Sequence, residues 1–143
     1  EEMTTYQYHA DELVVSLPAG FVDKTTTILE WPEAQGGTAM MLRRAPLEPG
    51  TLPDVAKRYS AQLAATLSGY REEPAITVEC PLPHEIICLR FREQGRVHYQ
   101  VHVLLDLGSR MLFMVWGADA QRRDRLDEMV KVAVPTVLLR EVT

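Results

Sequence analysis

The chain predicts an α+β fold, an antiparallel sheet with two main helices packed largely on one face. Three observations predict it. Eight short segments read as strands and only two as amphipathic helices, in the order β-β-β-β-α-β-β-β-β-α. The last four strands follow one another through tight turns, the pattern of an antiparallel meander. The runs Val101-His102-Val103-Leu104-Leu105 and Met111-Leu112-Phe113-Met114-Val115-Trp116 are apolar at nearly every position. A half-buried strand alternates, because successive side chains point to opposite faces. These two runs want cover on both sides. Two helices shield one face of a sheet, so the other face is expected to be buried by a second copy of the chain or an apolar partner.

Tyr6–His9 and Glu12–Leu17 read as short strands around a corner at Ala10-Asp11, and Leu17–Phe21 as a turn. A third strand spans Lys24–Trp31, and Pro32–Gly37 is a hairpin-type loop rich in turn formers. The fourth strand is Thr38–Arg44. After the Pro- and Gly-bearing loop Ala45–Thr51, a helix is predicted over Leu52–Ser68. Thr51 is its N-cap and Pro53 sits in the first turn, where a missing N–H costs little. Leu52, Val55, Ala56, Tyr59, Leu63 and Leu67 form its apolar stripe, and Gly69 is a suitable residue past its end. Tyr70–Cys80, His84–Arg92, Val97–Leu107 and Arg110–Trp116 are the meander, with turns at Pro81–Pro83, Gln94-Gly95-Arg96 and Gly108-Ser109. The last helix is predicted over Ala120–Leu138, capped by Asp119. Leu126, Met129, Val130, Ala133, Val134 and Val137 form its stripe, and Pro135 should kink it or end it early.

With 143 residues, the chain is one domain by length, expected over residues 3–143. Met3 is the expected natural start and Glu1-Glu2 are expected additions. Hydrophobic residues make up 46% and charged residues 24%, enough for a real core. A net charge of −5 and a pI near 5.4 argue against a nucleic-acid or anionic-membrane binder, which carries a basic stripe. No run reaches the ~18 apolar residues of a membrane span. The polar N-terminus shows no basic region followed by an apolar one, so no signal peptide is expected. Without a secretory signal, Cys80 and Cys88 are expected as free buried thiols on successive strands rather than a disulfide.

No catalytic motif is evident. His98 and His102 share a strand face but lie ~13 Å apart along it, too far for one metal, and no Cys or carboxylate sits at ligand spacing beside them. Cys80, Cys88 and His84 match no nucleophile geometry. Ser60, Ser68 and Ser109 lie in no nucleophile elbow, and Gly36-Gly37 joins strands instead of opening a helix as a phosphate loop does. Arg122–Glu128 is a solvated helix face. No metal, cofactor or enzymatic activity is expected. Trp31 and Trp116 read as core aromatics at a sheet edge. One set stands out: Ile28, with Thr26 beside it, is taken to share alternation with Thr38, Met40 and Leu42 across a hairpin. Small hydroxyls mixed with adaptable apolar side chains suit the packing of an apolar helix, as small hydroxyl residues do between membrane helices.

The opening Tyr6-Gln7-Tyr8-His9-Ala10-Asp11-Glu12-Leu13, the phrase Pro18-Ala19-Gly20-Phe21-Val22-Asp23-Lys24-Thr25, the strand end Leu29-Glu30-Trp31-Pro32 and the helix end Ser68-Gly69-Tyr70 resemble the Eag-type chaperones. These belong to the DcrB-related group of the PsbP-like fold, and the likeness covers nearly the whole chain. The resemblance implies a cytosolic adaptor of the bacterial type VI secretion system. Such an adaptor binds and shields the N-terminal transmembrane helices of an effector and aids its loading on the VgrG spike. It acts as a homodimer whose sheets line a hydrophobic groove. The groove positions map onto Thr26, Ile28, Thr38, Leu42 and Leu67, with Met40 on the same stretch. Where the family often has a small hydroxyl on its fourth strand, this chain has Leu42. DcrB-like relatives are exported lipoproteins, and the expected lack of a signal peptide favours the cytosolic branch. The alternative is a general protein-binding scaffold domain of the PsbP-like fold with no role in secretion.

Overall fold

The computed structural model describes residues 5–9, 14–18, 26–31 and 37–139. The predicted corner at Ala10-Asp11, the turn after Leu17, the start of the third strand, most of the loop Pro32–Gly37 and the expected additions at the N-terminus lie outside these residues. Strands β1 (Thr5–His9) and β2 (Val14–Pro18) pair antiparallel as a separate two-stranded sheet. The main sheet has six strands: β3 (Thr26–Trp31), β4 (Thr38–Ala45), β5 (Arg71–Glu73), β6 (His84–Glu93), β7 (Arg96–Asp106) and β8 (Met111–Asp119). Their order is β3-β4-β8-β7-β6-β5 and every neighbouring pair is antiparallel. With helices α1 (Leu52–Thr66) and α2 (Arg123–Ala133), this is the α+β class predicted.

Local chemistry sets the boundaries. The Thr51 hydroxyl accepts from the Asp54 N–H while the Asp54 carboxylate accepts from the Thr51 N–H, a reciprocal cap that starts α1. Gln94 and Gly95 both adopt positive φ, 52° and 75°, so the two-residue turn between β6 and β7 matches the strand twist. Asp119 caps a short 3-10 turn over Ala120–Arg122 before α2 begins. The predicted last helix is therefore shorter than expected. It ends at Ala133, and Pro135 lies in a second 3-10 turn over Val134–Thr136, where its ring and missing N–H cannot break an α-helical ladder. The predicted strand Tyr70–Cys80 is also shorter. Only Arg71–Glu73 pairs, and Pro74, which has no N–H to donate, follows directly. Cys80 thus sits in an irregular segment, half-buried, and Cys88 is buried in β6; both are free thiols. Burial pushes the Cys88 thiol pKa up.

The two helices do not share a face of the sheet, which corrects the sequence-based expectation. Val55 and Ala56 of α1 pack on Ile87, Leu89, Phe91, Leu104, Met111 and Phe113. Leu126, Val130 and Val134, from α2 and the turn after it, pack on Cys88, Tyr99, Val101, Val103, Leu105, Met114 and Ala118. These two sets alternate along β6, β7 and β8, so α1 covers one face and α2 the other. A helix stripe specifies that a helix packs, not on which side of the sheet its connection delivers it. The near-continuous apolar runs follow: β7 from Val101 to Leu105 and the first part of β8, Met111 to Met114, meet a helix on each side.

On the α2 face the packing includes a polar seam. The Tyr99 hydroxyl donates to buried Asp127 at 2.6 Å. The Arg123 guanidinium lies 5.0 Å over the Tyr99 ring and reaches Glu73, 3.6 Å away. Glu73 also pairs with Arg90, so short β5 is tied to both β6 and α2. Burial, then the bond to Asp127, raises the Tyr99 pKa, and the hydroxyl stays a donor.

Two substitutions test the two-sided packing. Leu104→Ala, under α1, should lower stability by about 2–5 kcal/mol. Tyr99→Phe, which strips buried Asp127 of a donor, should cost about 1–3 kcal/mol. Their effects in urea unfolding should add to within about 0.5 kcal/mol, because they lie on opposite faces with no shared partner.

Candidate functional site

The cover that α1 gives its face stops partway along β4 and β8. Tyr59 is its last large contact there, with ring centroids 4.9 Å from Phe113 and 5.4 Å from His102. Beyond it no described helix lies over the strands. Ile28 of β3, Ala39 and Met41 of β4, Val115 and Gly117 of β8, and His98 and Gln100 of β7 line a groove of about 370 Å³. Its floor is apolar and low, because Gly117 has no side chain and Ala39 only a methyl. Arg96 and Asp119 stand at one end. Ile28 is 61% exposed at the sheet edge.

The predicted groove residues are divided by the β3–β4 register. Thr26 pairs with Arg43, Ile28 with Met41 and Trp31 with Thr38. Even-numbered residues of β3 therefore share a face with odd-numbered residues of β4. Thr26 and Ile28 belong to the α1 face, together with Leu67, which packs beneath the end of α1. Thr38, Met40 and Leu42 belong to the α2 face. Thr38 is buried, and Met40 and Leu42 pack against the α2 core. The six do not form one surface. A one-residue offset moves every side chain to the opposite face, and the residues that accompany Ile28 are Ala39 and Met41.

Trp31 is 57% exposed on the α2 face with the Arg125 guanidinium 5.5 Å over its ring. Trp116 packs against the α2 core, and its buried Nε1 has no hydrogen-bond partner among the described residues. Among the described residues no group of three or more His, Cys, Asp or Glu could hold a metal. No described helix is long and apolar enough to cross a membrane.

The polar feature that sequence reasoning missed lies where the groove meets α1. His102 is 3% exposed. Its Nδ1 is 2.7 Å from the Tyr59 hydroxyl and its Nε2 is 2.7 Å from the Gln100 carboxamide oxygen. Arg43, whose guanidinium stacks 4.8 Å over Phe113, stands close enough to Tyr59 for its charge to act on it. Burial, and secondarily the Arg43 charge, pushes the His102 pKa down to about 4, so the ring is neutral near pH 7. Burial raises the Tyr59 pKa against the opposing pull of Arg43, so its hydroxyl keeps its proton. The signal was present: His102 is the one polar residue between Val101 and Leu105.

A family model named DcrB matches residues 12–136. The chain belongs to the DcrB family. A crystal structure of PA94, a Pseudomonas aeruginosa protein of unknown function, aligns with this DcrB-family chain at a TM-score of 0.78 and 13% identity. The alignment covers 96% of this chain and 99% of that one. At that identity the likeness speaks for the fold alone. LpqN of Mycobacterium tuberculosis, involved in cell envelope biogenesis, aligns at a TM-score of 0.47 and 12% identity over 94% of this chain and 88% of that one. No curated protein matches.

The depressed His102 pKa predicts a pH dependence of stability. Below the ordinary value of 6.5 the unfolded chain binds a proton that the native ring refuses. Stability is therefore retained above pH 6.5 and falls as pH drops toward about 4, by a total of about 3 kcal/mol. Urea midpoints across that window should show this slope in the wild type and a flatter one in His102→Gln.

Proposed function

We propose that this chain is a non-enzymatic adaptor chaperone whose groove beyond the end of α1 cradles an apolar helix of a secreted effector. The observation that carries the proposal is the apolar groove lined by Ile28, Ala39, Met41, Val115 and Gly117, open at its edge where Ile28 is 61% exposed. An apolar helix in water exposes on the order of 1,000 Å² of apolar surface. Burying half of it, at ~25 cal/mol per Å², contributes on the order of 10 kcal/mol before ordering costs. No lipid competes in the cytosol, so the hydrophobic effect itself drives such a complex, unlike helix pairing in a bilayer. Small side chains in the floor let a helix approach the sheet backbone.

The secretion role rests on the resemblance to Eag-type chaperones. It makes the partner the N-terminal transmembrane segment of a type VI effector, the destination the VgrG spike, the working state a homodimer and the compartment the cytoplasm. The edge of β3, with Trp31 57% exposed on the face opposite Ile28, supports a second copy alongside it. The match to the broader DcrB family favours a second reading, a general protein-binding domain of this fold without a secretion role. That domain would bind a folded surface and leave a lone apolar helix insoluble.

Ile28 and Leu29 are adjacent and comparably exposed, 61% and 55%, yet they face opposite ways. Ile28→Asp should abolish capture of a co-expressed apolar effector segment while light scattering shows the chain's own association state unchanged. Leu29→Asp should leave capture intact. Equal effects of the two would remove the groove on the α1 face from consideration.

A further inference from the structure

Gln100 lies between the groove and the buried histidine. Its carboxamide oxygen faces His102 Nε2, and the side chain lines the groove beside Gly117, where a Cβ would sit 3.8 Å from Gln100 Nε2. A carboxamide oxygen carries no proton, so His102 Nε2 must bear the N–H and donate to it. The neutral ring then has a bare lone pair on Nδ1, and the Tyr59 hydroxyl donates to that nitrogen. The Arg43 charge lies beside this pair. Every proton in the chain Tyr59–His102–Gln100 has an acceptor. With the carboxamide turned over, His102 would accept from Gln100 and donate from Nδ1. The Tyr59 oxygen would then accept from His102, and its own proton would lose the His102 acceptor in a part-buried site, at a cost comparable to a lost hydrogen bond.

We propose that Tyr59 and His102 are positioning residues that lock the Gln100 carboxamide with its NH₂ group toward the groove, giving the apolar floor one oriented hydrogen-bond donor. The inference rests on the groove reading above and deepens it. The helix that fits carries an oxygen acceptor against Gln100, such as a serine or threonine hydroxyl, within an otherwise apolar face. The donor is aimed from α1, through a ring that packs on both Tyr59 and the sheet, so the loading surface and the helix that bounds it act as one unit.

The test uses the full chain, ¹⁵N-labelled, and a lysine-ended leucine/alanine helix of about 20 residues with one central serine. Two-bond ¹H–¹⁵N correlations of His102 should show the Nε2–H tautomer; an Nδ1–H tautomer overturns the proposal. Tyr59→Phe should mix the tautomers, move the Gln100 side-chain amide resonances and weaken peptide binding about fivefold. Gln100→Leu should weaken it by a similar factor, and the double variant should be no worse than either single one. Additive losses overturn the positioning role. Ile28→Asp is measured alongside. If it abolishes binding while Tyr59→Phe binds as the wild type does, the positioning role fails and the groove stands. If neither substitution affects binding, the groove reading fails, and the proposal with it.

Discussion

Val101, Val103 and Leu105 point to one side of β7, His102 and Leu104 to the other, and none of the five is more than 3% exposed. A strand buried on both sides needs two covering layers, and the described residues hold two α-helices, α1 and α2. Each must therefore take a different face. The consequences run outward from there. α1 lies over β6, β7 and the start of β8, α2 over the opposite side of β7 and β8 and against Met40 and Leu42 of β4, and on the α1 face neither helix reaches the β3–β4 end. Strands β3 and β4 extend the sheet past its helical cover, and the exposed apolar residues of β3 lie there. The groove is the part of the sheet for which no helix is left.

Much of this was legible in the sequence. The strand runs, the meander, the Thr51 cap and the stop near Pro135 are written in local chemistry: alternation, turn residues, a hydroxyl before a helix and a missing N–H. What was not legible depends on relations between distant segments. An apolar stripe on α2 names Leu126, Val130 and Val134 as inward, but the face they meet is set by how the chain leaves β8. Likewise Ile28 was recognisable as a candidate contact, whereas its partners were misassigned. The loop between Trp31 and Thr38 does not by itself fix the register, and a shift of one residue exchanges Met40 for Met41. His102 was weighed with His98 as a metal pair, set aside because the two lie too far apart on one strand face, and so left as an ordinary polar strand position. Only the packed structure places a tyrosine on one of its nitrogens and a glutamine on the other.

The two faces carry different kinds of specificity. On the α2 face, Glu73, Arg90, Arg123, Asp127 and Tyr99 form a closed set of ion pairs and hydrogen bonds that ties the shortest strand to the last helix. On the α1 face the polar atoms run in a line, from Arg43 through Tyr59 and His102 to Gln100, and that line ends at an apolar floor. An apolar floor edged by a few polar side chains suits an apolar helix better than a charged metabolite. Membership of the DcrB family sets the fold frame for this arrangement, and the residues lining the groove give it its chemistry.

The central claim is that the uncovered end of the α1 face is where an apolar helix binds. Backbone and methyl chemical shifts of the labelled chain, followed as the serine-bearing leucine/alanine helix is added, test it directly. The account predicts changes concentrated at Ile28, Ala39, Met41, Val115 and Gly117, with Leu29, Met40 and Leu42 on the other face little altered. Changes centred on Leu29, Met40 and Leu42, or no saturable change at all, would contradict it.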